Sequence, residues 1–298
     1  MIELPVDLQI TRGLAKSKED LKGLRRSLNL YPKEDKLVSA KTLSTLWANV
    51  TVWPWPQLFK LEHDLFVCDY DSISVVRDEG LQLLLDSIDT RGYPWGAAIV
   101  GNFPVFTNNR VVVHPNVMAP LPARAADMEF DELVVQQGAF PVGRDICQYN
   151  KQFVVAAPWM YGVWHMNHVA WARPGTLDFE IGTRTSAGYS FIQYCGQVLR
   201  VVPTGVGFVA YGTTGVAKFT ATDHPSDYNH DQISKVGLYS QLAVANCQGF
   251  HAYVGTDRRL YKVTDKVEKL GYDYIFKEAT GEISLHWDEE EKLVYASL

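Results

Sequence analysis

Two histidines three residues apart, in His165-Met-Asn-His168, are the pattern in this chain closest to a metal-binding pair. On a helix that spacing would put both imidazoles on one face. The flanking residues, VWHMNHVAW, are β-branched and aromatic and read as strand and turn, where positions three apart face opposite ways. No neighbouring cysteine or carboxylate completes a zinc-type donor set. Carboxylates gather at Asp64, Asp69 and Asp71, and again at Asp178 and Glu180. A glycosidase needs two carboxyls about 5 to 10 Å apart. Asp69 and Asp71 read as turn residues. Asp178 and Glu180 are two apart on an expected strand and would face one way, with no Arg or Tyr set beside them. The sequence has no GxSxG elbow and no GxxxxGK[ST] phosphate loop. Gly205-Val-Gly207 lies in a strand run without a following helix, so it is not a dinucleotide fingerprint. No catalytic residue, metal ligand or cofactor is expected.

Two short stretches suit contact with a partner better than chemistry. Asp257-Arg258-Arg259 sits on an expected hairpin tip. Its planar guanidinium groups can hold a carboxylate or phosphate; the alternative is a solvated turn. Trp53-Pro-Trp55-Pro56 is stiff and extended. Exposed, it would anchor a partner, since Trp is enriched at binding hot spots; otherwise it plugs one end of the core.

The elements that must position these residues are short hairpins. Phe208–Tyr211 meets Val216–Thr220 across Gly212-Thr-Thr-Gly215, and Phe250–Val254 meets Leu260–Val263 across Gly255 to Arg259. Apolar strand, Gly-containing turn and apolar strand make a β-hairpin. The two units begin about 42 residues apart. The same rhythm recurs at Leu65–Val76, Phe103–His114, Phe153–Trp171 and Ile283–Ala296, giving roughly six hairpins. That spacing brackets the period of a four-stranded propeller blade. The expected fold is all-β, a β-propeller of about five to six blades with a short helical N-terminal arm. A β-sandwich or a string of hairpins would give similar spacing. Residues 1–35 form the arm, with a helix starting at Ser17 and Leu21, Leu24 and Leu28 on one face. The arm docks on a neighbouring subunit or folds back on its own domain. Residues 36–298 form the propeller, and a strand from residues 1–50 is expected to complete the last blade near residues 283–297.

Composition narrows the function classes. The chain has 298 residues, 47% apolar and 21% charged, which is ample for a core. The formal charge is -6 and no basic stripe is present. Wrapping nucleic acid works by neutralising phosphates, so tight DNA binding is not expected. No apolar stretch is long enough to span a membrane. The N-terminus, MIELPVDLQITRGLAK, lacks the apolar core of a signal peptide. Cys68, Cys147, Cys195 and Cys247 are far apart and are expected to be reduced and buried.

The C-terminal 110 residues or so carry a resemblance. Its blocks are VLRVVPTGVGFVAYGTTGVAKF from Val198, QISKVGLYSQLAVA from Gln232, YVGTDRRLYKVTDKVEKLGYDY from Tyr253 and EISLHWDEEEKLVYA from Glu282. In order and spacing they resemble the β-propeller tail proteins of short-tailed phages, the packaged-DNA stabilisation or tail-nozzle proteins. The resemblance implies a structural virion protein of the tail or head–tail connector, made in the host cytoplasm, and not an enzyme. It implies identical subunits in a ring, portal, adaptor or other tail proteins as neighbours, and packaged DNA passing without tight binding. A receptor- or glycan-binding tail propeller and a propeller glycosidase are the alternatives. Trp53, Trp55, Arg258 and Arg259 are the expected interface residues.

Overall fold

The computed structural model describes residues 30–33, 36–39, 57–61, 64–77, 80–88, 90–100, 103–115, 133–137, 142–181, 186–223, 228–270, 273–277, 279, 281–289 and 292–297. The helix expected from Ser17 lies outside them, as do Trp53 and Trp55.

A ribbon of β1 (Leu30–Lys33) and β2 (Lys36–Ser39) comes first, so the expected boundary between residues 35 and 36 falls between its two strands. Sheet one follows, with β3 (Gln57–Leu61), β4 (Asp64–Cys68), β5 (Ile73–Arg77) and β6 (Gly80–Leu85). Sheet two has β7 (Gly96–Val100), β8 (Phe103–Thr107), β9 (Val111–Pro115) and β10 (Leu133–Gln137). Sheet three starts with β11 (Asp145–Tyr149) and β12 (Gln152–Ala156). A small hairpin, β13 (Trp159–Met160) and β14 (Val163–Trp164), then interrupts it. β15 (His168–Trp171) and β16 (Gly188–Phe191) complete it. Sheet four has β17 (Val198–Thr204), β18 (Gly207–Gly212), β19 (Val216–Ala221) and β20 (Tyr228–Ser234). Sheet five has β21 (Val244–Cys247), β22 (Phe250–Val254), β23 (Leu260–Val263) and β24 (Val267–Lys269). The helix α1 (Asp273–Lys277) leads to a last pair, β25 (Ser284–Asp288) and β26 (Leu293–Ser297).

Each four-stranded sheet is an antiparallel meander, every strand pairing with the next in the sheet. Alternate side chains of a strand leave on opposite faces, and here each face meets a different neighbour. Phe106 packs toward Phe66, Ile73 and Val75 of sheet one, while Val105 joins Phe153 and Val155 of sheet three. Val154 and Trp171 meet Phe208 and Phe219 of sheet four, while Val209 and Tyr211 meet Tyr253 and Val263 of sheet five. Ile283 and Leu285 close that last cluster. The strands gripped from both sides, β12 and β18, are buried along their whole length. Burying each Phe or Leu so completely contributes about 1.5–3 kcal/mol. The first strands of successive sheets also lie side by side: β3 against β7, β7 against β11, β11 against β17 and β21 against β25. The described chain is therefore all-β apart from short helical turns, built of several four-stranded antiparallel meanders packed face to face, and resembles a β-propeller in that arrangement.

Gly212 shows how closely the sheets meet. A Cβ there would overlap the Cys195 carbonyl in the turn before sheet four. Gly212→Ala is expected to cost about 1–3 kcal/mol, as overpacking does, read as a lower urea midpoint at unchanged slope.

Several expectations are corrected. β1 pairs with β2 and β25 with β26, as two separate sheets, so the N-terminal strand does not complete the last sheet among the described residues. Leu177–Ile181 is a loop and not a strand: Arg173 N donates to the Asp178 carbonyl (2.7 Å), and Leu177 and Phe179 reach the core without a ladder. Gly205 and Val206 form the turn between β17 and β18, and only Gly207 belongs to a strand. His165 and His168 do not face opposite ways. The chain turns between them, with His168 N donating to the His165 carbonyl (3.0 Å), and their rings lie 4.8 Å apart edge to face.

Candidate interaction surface

The most exposed aromatic residues of the described chain gather on sheet three. The β13–β14 hairpin pairs Trp159 with Trp164, their rings 5.3 Å apart edge to face. Its turn is Tyr161-Gly162, both with positive φ (53° and 81°), the backbone a tight two-residue hairpin requires. Tyr161 stands out from the surface, 79% exposed, beside an exposed Val163. Trp159, Met160 and Trp164 anchor the hairpin on the core between sheets two and three. His165 follows at once, and its ring touches His168. His168 pairs across the strands with Phe191, its ring 5.1 Å from that phenyl and 5.9 Å from Tyr189. Tyr189 and Phe191 are two apart on β16, so both project on one face, and both are exposed. The result is two groups of rings close in sequence, Trp159 with Trp164 on the hairpin and His165, His168, Tyr189 and Phe191 on the strands that follow. Burial and the nearby His165 lower the His168 pKa, so the imidazole stays neutral and apolar to lower pH than a free one. The His165 Nε2 is buried and has no hydrogen-bond partner among the described residues. Such a surface can stack on a sugar ring or an apolar side chain.

The residues expected from sequence are dispersed. Arg258, at positive φ (59°) on the β22–β23 turn, donates to the carbonyls of Lys277 (3.0 Å) and Ala279 (2.8 Å) and lies over the Tyr239 ring. It ties the tip to the end of α1. The Arg259 Nε lies 3.7 Å from the Asp257 carboxylate. The carboxylates serve turns and pairs. The Asp69 Oδ1 accepts Tyr70 N (2.7 Å), and the Asp178 Oδ1 accepts Glu180 N (2.9 Å). Asp64, buried, meets Arg77 at 3.5 Å. The described residues contain no group of three or more His, Cys, Asp or Glu able to hold a metal ion.

Polar side chains at the sheet junctions had no signal in the sequence. The Asp145 carboxylate accepts Val201 N of β17 (2.9 Å) and meets the Arg200 guanidinium at 3.6 Å. Arg200 also donates to the Gln241 carbonyl, and Gln241 donates to the Arg144 carbonyl (2.8 Å). The Thr107 hydroxyl joins the end of β8 to Gly143, before sheet three (3.1 Å). His251 on β22 reaches back to sheet four. Its Nε2 lies 3.0 Å from the Pro203 carbonyl and its Nδ1 2.8 Å from the Tyr211 hydroxyl. A carbonyl only accepts, so Nε2 carries the proton and Nδ1 takes the tyrosine O–H. Beside it a groove of about 330 Å³ runs between sheets four and five, lined by Pro203, Phe250, Lys218 and Asp265 among others. Lys218 and Asp265 close across it at 2.8 Å.

All four cysteines are buried and free. Burial pushes the Cys68 and Cys147 thiols well up and the Cys195 thiol up to about 12. Only thiolate reacts. A colorimetric thiol reagent at pH 8 is expected to find almost no reactive cysteine in the native protein and four after unfolding.

No family model matches the chain, and no curated protein does. Among solved structures it is similar to Ycf48 from Cyanidioschyzon merolae, at 7% identity and a TM-score of 0.40, covering 78% of this chain and 90% of that one. It is similar to Hsv2 of Kluyveromyces lactis at 9% identity and a TM-score of 0.34, covering 82% and 98%. PorZ, a surface component of the type-IX secretion system of Porphyromonas gingivalis, matches at 9% identity and a TM-score of 0.28, covering 76% and 34%. These likenesses concern the fold alone.

Proposed function

We propose that the chain is a structural subunit of a short-tailed phage virion, in the tail or head–tail connector. Identical copies form a ring below the portal or adaptor, retain packaged DNA and provide its exit channel. The fold in detail is then a propeller of five complete blades and a sixth begun by β25–β26. The observation that carries this reading is the use made of buried polar groups. Asp145 and His251 each bind a backbone group of the neighbouring sheet, Thr107 binds Gly143 just before the next sheet, and Gln241, before sheet five, binds the Arg144 carbonyl just before sheet three. Such fastening suits a rigid wall more than a reaction centre. The order of the C-terminal blocks supports the same reading, and a net charge of -6 suits a conduit that lets DNA slide. Cryo-EM of intact particles tests it. The expected result is several copies around the DNA exit, each burying more than about 1,000 Å² with its neighbours. A single isolated copy per particle, or a position away from the channel, overturns it.

The exposed rings of Tyr161, Tyr189 and Phe191 favour a second reading, contact with a receptor or glycan at the tail tip. On that reading Tyr161→Ala with Phe191→Ala leaves particle assembly intact and lowers adsorption to host cells at least tenfold. Unchanged adsorption removes it.

A further inference from the structure

Five sheets of the described chain have four strands, whereas the last has two. β25 lies beside β21, and Leu285 N donates to the Leu242 carbonyl (2.9 Å). β25 thus holds the place that first strands hold elsewhere, and β26 holds the second place. In sheets three and four the second strand is paired along both edges and buried on both faces. β26 pairs with β25 alone among the described residues, and Tyr295 and Ala296 are exposed. Its sequence, LVYAS, carries no charge. Of the outer strands, β20 and β24 carry Asp231, and Glu268 with Lys269, while β6, β10 and β16, like β26, carry no charge. Charges on outer strands discourage further pairing. β26 lacks that protection.

At the other end of the chain, β1–β2 is a two-stranded ribbon with no third strand among the described residues. An isolated ribbon is marginal in water, so it needs a sheet to join. Added to β25–β26 it supplies the missing two strands. The face of sheet one turned away from sheet two is partly uncovered among the described residues, although Val67 on it is buried. Leu58, 58% exposed, alternates with Phe59, which packs toward sheet two, and Leu83, 55% exposed, pairs with Ser74 on the same outward face. Both ribbons are present in one chain, yet they form separate sheets. Among the described residues, then, β25–β26 takes no strand from its own chain. The linker permits a donor from another copy: residues 40–56 separate β2 from β3 and span up to about 55 Å when extended.

We infer that the β1–β2 ribbon of one copy adds to the open edge of β26 in a neighbouring copy, completing the neighbour's last sheet. The mode is strand addition. The inference rests on the ring reading in one respect: a closed ring gives every copy one donor and one acceptor.

Cross-linking tests it in the full-length protein. Copies with Leu37→Cys or Val38→Cys are co-expressed with copies carrying Tyr295→Cys or Ala296→Cys, and the assemblies are oxidised. Adjacent positions on a strand face opposite ways, so the four combinations cover both faces. The native cysteines are buried and do not compete. The expected product is a disulfide-linked pair of unlike chains from at least one combination, lost when the protein is unfolded before oxidation. No linked pair from any combination overturns the inference. So does a chain carrying both Val38→Cys and Tyr295→Cys that closes only on itself. Failed linkage in particles that still show the ring would sink the strand exchange and leave the ring reading standing. Linked chains in a protein that forms no ring would do the reverse.

Discussion

Lowering the pH from 6.5 to 4 is expected to remove about 3 kcal/mol of folding stability through one side chain, His251. The imidazole lies between sheets four and five, and burial lowers its pKa from the ordinary 6.5 to about 4, against a small opposing effect of the Pro203 carbonyl. The geometry explains why the neutral form is held. Nε2–H donates to Pro203, and Nδ1 accepts the Tyr211 hydroxyl, which is itself buried. A proton on Nδ1 would displace the tyrosine O–H and place a charge among apolar groups. Between the two pKa values the unfolded chain binds a proton that the native chain refuses, so stability rises with pH across that window. It is complete above pH 6.5 and is lost as pH falls toward 4. At about 1.4 kcal/mol per pH unit the gap amounts to roughly 3 kcal/mol. Asp145 acts in the opposite sense, since desolvation raises its pKa and the native carboxyl takes up its proton before the unfolded one does. Urea unfolding at half-unit steps, in wild type and in His251→Gln, separates the two. Gln keeps a donor for Pro203 and cannot titrate. The variant is expected to be weaker at pH 7 and to lose most of the slope between pH 6.5 and 4. An equal slope in both proteins would remove His251 as the cause.

The sequence showed the middle of the sheets better than their borders. Leu65–Val76, Phe103–His114, Phe208–Thr220 and Phe250–Val263 became the second and third strands of their sheets. Outside sheet one, whose outer face carries the exposed Leu58 and Leu83, those strands are largely buried between neighbouring sheets, so they are written as apolar runs that stand out against turns. Outer strands do not announce themselves. β20 reads YNHDQIS, and its polar residues suit a border facing water. Leu177–Ile181 misled in the other direction. Leu, Phe and Ile alternate with Asp and Glu, but Leu177 and Phe179 satisfy that pattern from a loop lying on the core. The aromatic surface was illegible for a topological reason. Trp164 and Phe191 are far apart in the chain, and only the pairing of β15 with β16 sets His168 beside Phe191. The junction residues were equally silent. Nothing in Arg144-Asp145 or Arg200 marks them, because their partners are backbone groups of other sheets.

Asp145→Ala is expected to destabilise the fold by about 1–3 kcal/mol, as leaving a buried backbone N–H without its acceptor does. The carboxylate is almost wholly buried where three first strands converge. It belongs to β11, accepts Val201 N of β17 and meets Arg200. On its other side is Gly96 of β7, where a Cβ would run into the Asp145 carboxylate. Truncation leaves the Val201 N–H without an acceptor in a dry junction and frees Arg200, which still reaches water. Asp145→Asn keeps an acceptor for Val201 and loses only the longer, partly exposed pair with Arg200, so it is expected to cost less than about 1 kcal/mol. The ordering is the informative result. If the ion pair dominates, Asn is as harmful as Ala, and a double-mutant cycle with Arg200→Ala returns most of the loss as coupling. If the backbone bond dominates, Asn is mild and the coupling is small. The geometry favours the second outcome, because the bond to Val201 is short while the pair with Arg200 is longer and partly exposed. A neutral Asp145→Ala would mean that sheets three and four are held by their apolar faces alone, and the fastening that supports the rigid-wall reading would lose its energetic content.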